Sequence, residues 1–254
     1  TLTTQPHHIV IIGGGPGGYE AALAGRKLGA QVTLIERQGI GGSAVLTDVV
    51  PSKTLIATAT AAEAIRTASS LGINVAIQEG AALVDLKSVN QRLMDLAGAQ
   101  SKEMMQKLSD AGVRIINGIG KLDGNHAVLA EAPGQKPERL EAKTIVLAVG
   151  ARPRTLPSSE PDGERILTWT QLYNLTELPE HMIVVGSGVT GAEFASAYLS
   201  LGSKVTLVSS RDFVLPGEDL DAAVLIEEVF RSRGMNILKK TRADKVEKTP
   251  DGVK

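Results

Sequence analysis

Gly13-x-Gly15-x-x-Gly18 is the first place in this sequence where residue type and spacing imply chemistry. Glycines at those intervals allow a tight turn, let backbone approach a diphosphate, and let a helix pack closely on its strand. The helix N-terminus then stabilises the anion. Pro16 lies inside the loop, and Glu36, 18 residues past Gly18, is the acid expected to accept hydrogen bonds from a ribose hydroxyl, with Arg37 beside it. Gly186-x-Gly188-x-x-Gly191 repeats the arrangement, with Val189 inside the loop. Here the residue 18 past the last glycine is Ser209, and Arg211 stands two further on. Loss of the carboxylate removes repulsion toward a 2′-phosphate, which an Arg could pair with. The alternative is that Arg211 is a solvated surface residue. Two dinucleotide sites in one chain imply a flavin and a nicotinamide, one resident and one visiting, with NADPH at least as suitable as NADH at the second.

The elements that must position these loops are legible around them. HIVIIGGG (8–15) is a short apolar, β-branched run ending in glycine, which predicts a buried parallel strand. PGGYEAALAGRKLG predicts a helix that Gly29 can end, and QVTLIER (31–37) the next strand. A right-handed βαβ crossover makes the sheet parallel. Ser52 is expected to cap a helix reaching about Gly72. Ser88 and Gln91 form a capping-box pattern for a long helix to about Asp110, with Leu93, Leu96, Met104 and Leu108 roughly on one face. VRIING (113–118) and TIVLAVG (144–150) read as strands, and KLDGNHAVLA as a hairpin turning at Asp123-Gly124-Asn125.

RPRTLPSSEPDG (152–163) is the expected domain boundary. Beyond it, residues 181–210 repeat residues 8–37 in phase: strand, glycines, helix, Leu-Gly, strand. A helix over about 219–233 and a strand at MNILKK follow. TPDGVK at the end is a turn signal with nothing to pair after it, so the second domain is expected to be cut short. The fold class is therefore α/β, with two tandem Rossmann-like dinucleotide-binding domains, 1–153 and 154–254.

Composition narrows the chemistry. The 254 residues can bury a sizeable core, and 43% hydrophobic with 22% charged is ordinary for a globular protein. A net charge of −1 and scarce aromatics argue against nucleic-acid partners. The apolar stretches fall short of a membrane span, about 20 residues, and TLTTQPHH lacks the parts of a secretory signal, so a cytoplasmic location is expected. There is no cysteine, which excludes a disulfide framework, Cys-ligated metal and thiol catalysis from this chain. The four His, at 7, 8, 126 and 181, do not form a metal-ligand spacing; His7 and His8 read as a solvated pair.

Taken in order, IVIIGGGPGGYEAA, Glu36, GGxxxxxxxxPSK, TIVLAVG and IVVGSGVTGAEFA resemble the flavoprotein disulfide reductases, which include dihydrolipoamide dehydrogenase and glutathione reductase. PDGERILTWTQLY and VLPGEDLDAA look most like the mycobacterial-type NAD(P)H quinone reductases within that group. The resemblance implies FAD on the first domain and NAD(P)H on the second. It places Gly42, Ser43 and Ala44 by the flavin, Gly120 at the adenine region, and Ala148-Val149-Gly150 along the dinucleotide, where relatives usually have Ala-Thr-Gly. It also implies Lys53 near flavin N5, paired with Glu193, and an open nicotinamide face at Val189. Disulfide-reducing members carry two cysteines where this chain has Ala44 and Val49, so direct transfer from reduced flavin to a quinone is the implied reaction. Two other outcomes share the scaffold: a pyridine nucleotide transhydrogenase, or a redox-idle FAD-binding protein. The family continues past residue 254 with a domain through which relatives form homodimers.

Overall fold

Short β-branched runs ending in glycine become parallel strands, β1 buried and β8 alternately exposed and half-buried, and the computed structural model, which describes residues 7–76 and 83–254, sets them in two parallel sheets. The chain opens with β1 (His8–Ile12), α1 (Pro16–Lys27), β2 (Gln31–Glu36), α2 (Gly42–Leu46) and α3 (Val49–Thr67). Then follow α4 (Leu86–Asp110), β3 (Arg114–Asn117), β4 (Ile119–Leu122), β5 (Ala127–Glu131), β6 (Glu138–Glu141) and β7 (Thr144–Leu147). After the proline-rich segment come β8 (His181–Val185), α5 (Val189–Leu201), β9 (Lys204–Val208), α6 (Leu220–Ser232), β10 (Asn236–Leu238), β11 (Lys248–Thr249) and β12 (Gly252–Val253). The chain divides into two compact units, Thr1–Pro51 with Met94–Arg152, and Ser52–Leu93 with Pro153–Lys254. The boundary expected near 153 is one of three crossings; the other two lie inside α3 and α4.

In the first unit the parallel sheet runs β3-β2-β1-β7. One face packs on helices through Ile11, Val32 and Leu34 against Ala22 and Leu108. The other packs through Val10, Ile12 and Ile35 on Val128, Ala130 and Leu140 of the antiparallel sheet β4-β5-β6. In the second unit β10-β9-β8 is parallel, and Val205 and Leu207 share a core with Leu55 and Ala59 of α3, Phe194 and Tyr198 of α5, and Phe230 of α6. Phe194 also stacks on Trp169, ring centroids 6.4 Å apart.

The internal repeat holds at the level of single bonds. β1 pairs His8 with Gln31, and β8 pairs His181 with Lys204 in the same register. His8 Nε2 lies 3.0 Å from Thr33 Oγ1, and His181 Nε2 lies 2.9 Å from Thr206 Oγ1. His8 also reaches Glu141 O at 2.6 Å, and His7 Nε2 reaches Thr144 Oγ1 at 2.8 Å. His7, exposed, and His8, half-buried, thus also link neighbouring segments by hydrogen bonds.

Four local expectations differ from the structure. Ser52 lies inside α3, buried, with no hydrogen-bond partner for its Oγ among the described residues, because the helix starts at Val49. Pro51 allows that start, since a first-turn N–H has no helical acceptor to lose. At α4 it is Asp85 that caps: its carboxylate accepts the Ser88 N–H at 3.2 Å and the Ser88 hydroxyl at 2.5 Å, which holds its pKa below the ordinary carboxylate value. Leu96 turns outward, 44% exposed, while Leu93 and Leu108 are fully buried. The C-terminal turn does pair, Lys248 with Val253 and Thr249 with Gly252. Residues 1–6, with the TLTTQP reading, lie outside the described residues. Among the described residues no helix is long and apolar enough to cross a membrane.

The segment before β8 is ordered by one carboxylate. Asp162 Oδ1 accepts the N–H groups of Glu164, Arg165 and Ile166 at 2.8, 2.8 and 2.9 Å. Those backbone bonds lower its pKa from 3.8 to about 2. A depressed native pKa contributes stability that is present above the unfolded value and is lost as pH falls through the native one. The melting-temperature gap between wild type and Asp162→Ala is therefore expected to be widest at pH 5 and above and to shrink between about pH 4 and pH 2. A gap that stays constant across that window would contradict this role.

Candidate functional site

Both glycine loops have one geometry. Gly13 has φ +106° and Gly186 φ +115°, a region that favours glycine. A Cβ on Gly18 would lie 1.9 Å from Gly13 O, and one on Gly191 would lie 1.9 Å from Gly186 O. No other residue type permits those approaches. Gly13 N–H donates to Ile35 O and Gly186 N–H to Val208 O, each at 2.9 Å. Gly15 and Gly188 precede α1 and α5 with nearly identical backbone angles and no side-chain cap. The first-turn N–H groups that every helix leaves unpaired are thus left for a ligand.

The space is there too. A Cβ on Gly17 or on Gly188 would meet nothing within 4 Å, and one on Gly15 only Gly42 Cα at 3.9 Å. Gly41, in the left-handed region at φ +101°, returns the chain to donate its N–H to Gly14 O at 2.8 Å, which brings Gly42 over Gly15. A diphosphate needs such a wall of backbone with no Cβ in the way, and the residues present fit one. Gly41 opens the GGxxxxxxxxPSK motif, and its left-handed conformation follows from where the loop must return.

At the first loop the structure brings the expected residues together. Glu36 Oε2 accepts the Gly14 N–H at 2.7 Å, and Oε1 accepts the Arg37 and Gln38 N–H groups at 2.7 Å each. The half-buried carboxylate is thereby oriented beside the loop with acceptor capacity to spare. Ala148 N–H donates to Ile12 O at 2.8 Å, and a Cβ on Gly13 would strike Ala148 O at 2.2 Å. Ala148, exposed Val149 and left-handed Gly150 therefore border this loop. Gly120 in β4 lies against Ile12 and Ile35, where a Cβ would be 3.1–3.2 Å from their side chains. Exposed Pro16 begins α1, exposed Arg37 follows Glu36, and α2 holds Gly42, Ser43 and half-buried Ala44.

In the second unit Lys53 Nζ lies 2.5 Å from Glu193 Oε1, joining α3 to α5. The two side chains are 53% and 31% exposed, so the pair adds about 1 kcal/mol or less to stability. Its consequence is positional: it holds an ammonium one turn along α3 from Val49, on the same helical face. Val49 is itself 49% exposed, an apolar side chain facing outward. Val189 opens α5 and is 53% exposed. Ser209, by contrast, is fully buried and Arg211 is exposed.

Comparison with known proteins accords with this geometry. Residues 7–254 match the family model described as pyridine nucleotide-disulphide oxidoreductase. The chain is 48% identical, over 96% of its length and 51% of the relative's, to a protein of Mycobacterium tuberculosis named NAD(P)H dehydrogenase (quinone). It is 31% identical, over 96% of its length and 52% of the relative's, to a dihydrolipoyl dehydrogenase of Zymomonas mobilis. The crystal structure of LpdA from Mycobacterium tuberculosis superposes with TM-score 0.89 at 47% identity, over 97% of this chain and 54% of that one. The HOCl-induced flavoprotein disulfide reductase RclA from Escherichia coli superposes with TM-score 0.81 at 26% identity, over 97% of this chain and 52% of that one. The chain spans about half the length of the curated relatives it matches.

Proposed function

The chain belongs to the pyridine nucleotide-disulphide oxidoreductase family, and from that premise we propose that it supplies the dinucleotide sites of an FAD-dependent NAD(P)H:quinone oxidoreductase working without a disulfide of its own. FAD and NAD(P)H are the cofactors of this family. When bound, FAD takes two electrons from NAD(P)H and passes them to an acceptor. The observation that carries the reading is the duplicated glycine loop in a chain without cysteine, with Ala44 and Val49 at the positions where the family resemblance implies thiols.

The first loop is the FAD site. Gly13, Gly15 and Gly18 open the backbone to the diphosphate, and Glu36, held by Gly14, accepts from the adenosine ribose. The second loop, Gly186, Gly188 and Gly191, is the NAD(P)H site. Lys53 is the cation beside the flavin ring, and Glu193 holds its ammonium in place. A fixed positive charge stabilises negative charge that gathers nearby during reaction, more strongly where water is excluded. Val49, an apolar surface in place of a thiol, suits a planar, apolar acceptor such as a quinone. This agrees with the name of the mycobacterial relative.

The test is an anaerobic absorbance titration of the purified protein, first with NADPH and then with a benzoquinone. NADPH should bleach the bound flavin and the quinone should restore its colour within the mixing time. A flavin that stays yellow under NADPH would leave only the redox-idle reading. Bleaching that a nicotinamide analogue reverses and quinone does not would establish transhydrogenation instead.

A further inference from the structure

Residues 40–53 carry two charged side chains, Asp48 and Lys53. Lys53 is paired with Glu193 at 2.5 Å, so its charge is answered by a carboxylate. Asp48 is not answered: among the described residues its carboxylate forms no hydrogen bond and no ion pair. It is half-buried and lies one residue before exposed Val49. An uncompensated negative charge thus stands at the edge of the apolar surface proposed for the acceptor.

The charge is also held in place. Ser43 O, in α2, accepts the N–H groups of Thr47 at 3.0 Å and Asp48 at 2.7 Å, and Asp48 is the last residue before α3. Its backbone is therefore fixed between the end of one helix and the start of the next. Consecutive Cα atoms are about 3.8 Å apart, which puts the carboxylate on the order of 7 Å from a molecule seated on Val49. At that range a charge acts through space and needs no contact.

We infer that Asp48 sorts acceptors by charge, admitting neutral quinones at Val49 and disfavouring anionic oxidants. The inference rests on the proposed transfer from reduced FAD to an acceptor at this loop. Asp48 is a specificity-determining residue in this scheme and moves neither proton nor electron. One charge at that range slows a trianion by about tenfold at 10 mM ionic strength and about threefold at 0.15 M, and a neutral molecule is spared this repulsion.

A chain without cysteine allows the field at Val49 to be measured apart from turnover. Val49→Cys supplies a single thiol there, and its exchange with dithiobis(nitrobenzoate), a dianion, is compared with its exchange with neutral dithiodipyridine. The ratio of the two rates cancels the thiolate fraction, which both reagents share. Combining Val49→Cys with Asp48→Asn should raise that ratio about fivefold at 10 mM ionic strength and about twofold at 0.15 M.

The consequence for the acceptor is read in the holoenzyme with Val49 intact, its flavin reduced by one equivalent of dithionite and mixed anaerobically with ferricyanide, a trianion, or with benzoquinone. Two ferricyanide ions take the two electrons one at a time without a proton. One benzoquinone takes both with two protons and leaves as hydroquinone. The ferricyanide-to-benzoquinone rate ratio should rise about tenfold in Asp48→Asn at 10 mM ionic strength and about threefold at 0.15 M, while Asp48→Glu should keep the wild-type ratio. Failure of either ratio to respond to Asp48→Asn would overturn the inference and leave the quinone reading in place. Reduced flavin that neither acceptor reoxidises would remove that reading together with the inference that stands on it.

Discussion

Glu36→Ala is expected to purify largely without FAD, with an affinity for added FAD reduced by about 100-fold or more. Hydrogen bonds to a charged acceptor contribute about 1.5–3 kcal/mol each, and 1.4 kcal/mol is a factor of ten in binding. Loss of the bonds a ribose would make is thus enough for that change. The substitution also strips the acceptor from the Gly14, Arg37 and Gln38 N–H groups. The loop should therefore loosen as well as bind its ligand more weakly. Glu36→Gln separates the two effects, since an amide oxygen can still accept one of these N–H groups but brings no charge. Its melting temperature should fall less than that of the alanine variant while FAD binding stays weak. Flavin fluorescence quenching gives the affinity and the 450 nm absorbance gives the content. An alanine variant that retains full flavin would remove Glu36 from the site.

Lys53→Met should leave FAD content and melting temperature near those of the wild type and slow flavin reduction by NAD(P)H about 100-fold, the scale expected when one pre-oriented charge is taken away from a reacting centre. The ion pair with Glu193 is too exposed for its removal to unfold the protein. A change in rate therefore reports charge placement. The flavin midpoint potential should fall in the same variant, because a cation that favours electron uptake is gone; a packing defect would not move it in that direction. Glu193→Gln should give a smaller slowing, as the ammonium stays but is no longer held at 2.5 Å by a carboxylate. Anaerobic stopped-flow absorbance measures the rates. Unchanged reduction and unchanged potential in Lys53→Met would leave the pair a surface link between α3 and α5.

The difference between the two units shows how much one substituted pair can redirect a shared backbone. Gly14 with Glu36, and Ser187 with Ser209, occupy matching positions in loops of matching curvature. The first arrangement leaves a carboxylate at the end of β2 and the second leaves neutral hydroxyls at the end of β9. The same βαβ unit can thus carry a charged or a neutral strand end without altering a strand.

By itself the sequence determined the elements whose signals are local. Glycine spacing, apolar runs and the phase of the repeat specify β1, α1, β2 and their counterparts β8, α5 and β9, because a strand-to-helix turn at φ above 100° admits glycine and a parallel strand favours β-branched residues. It also determined the absence of cysteine, and with it the thiol chemistry these residues cannot perform alone. Tertiary structure decided what depends on competition between equivalent residues. Ser52 and Asp85 both have cap-forming side chains, yet the start of α3 at Val49 buries the first, while the second meets the Ser88 N–H. It decided that Lys53 meets Glu193, 140 residues away, and that Ser209 turns inward while Arg211 stays out. Such pairings are fixed by which helix packs on which sheet, and no window of neighbouring residues contains that information.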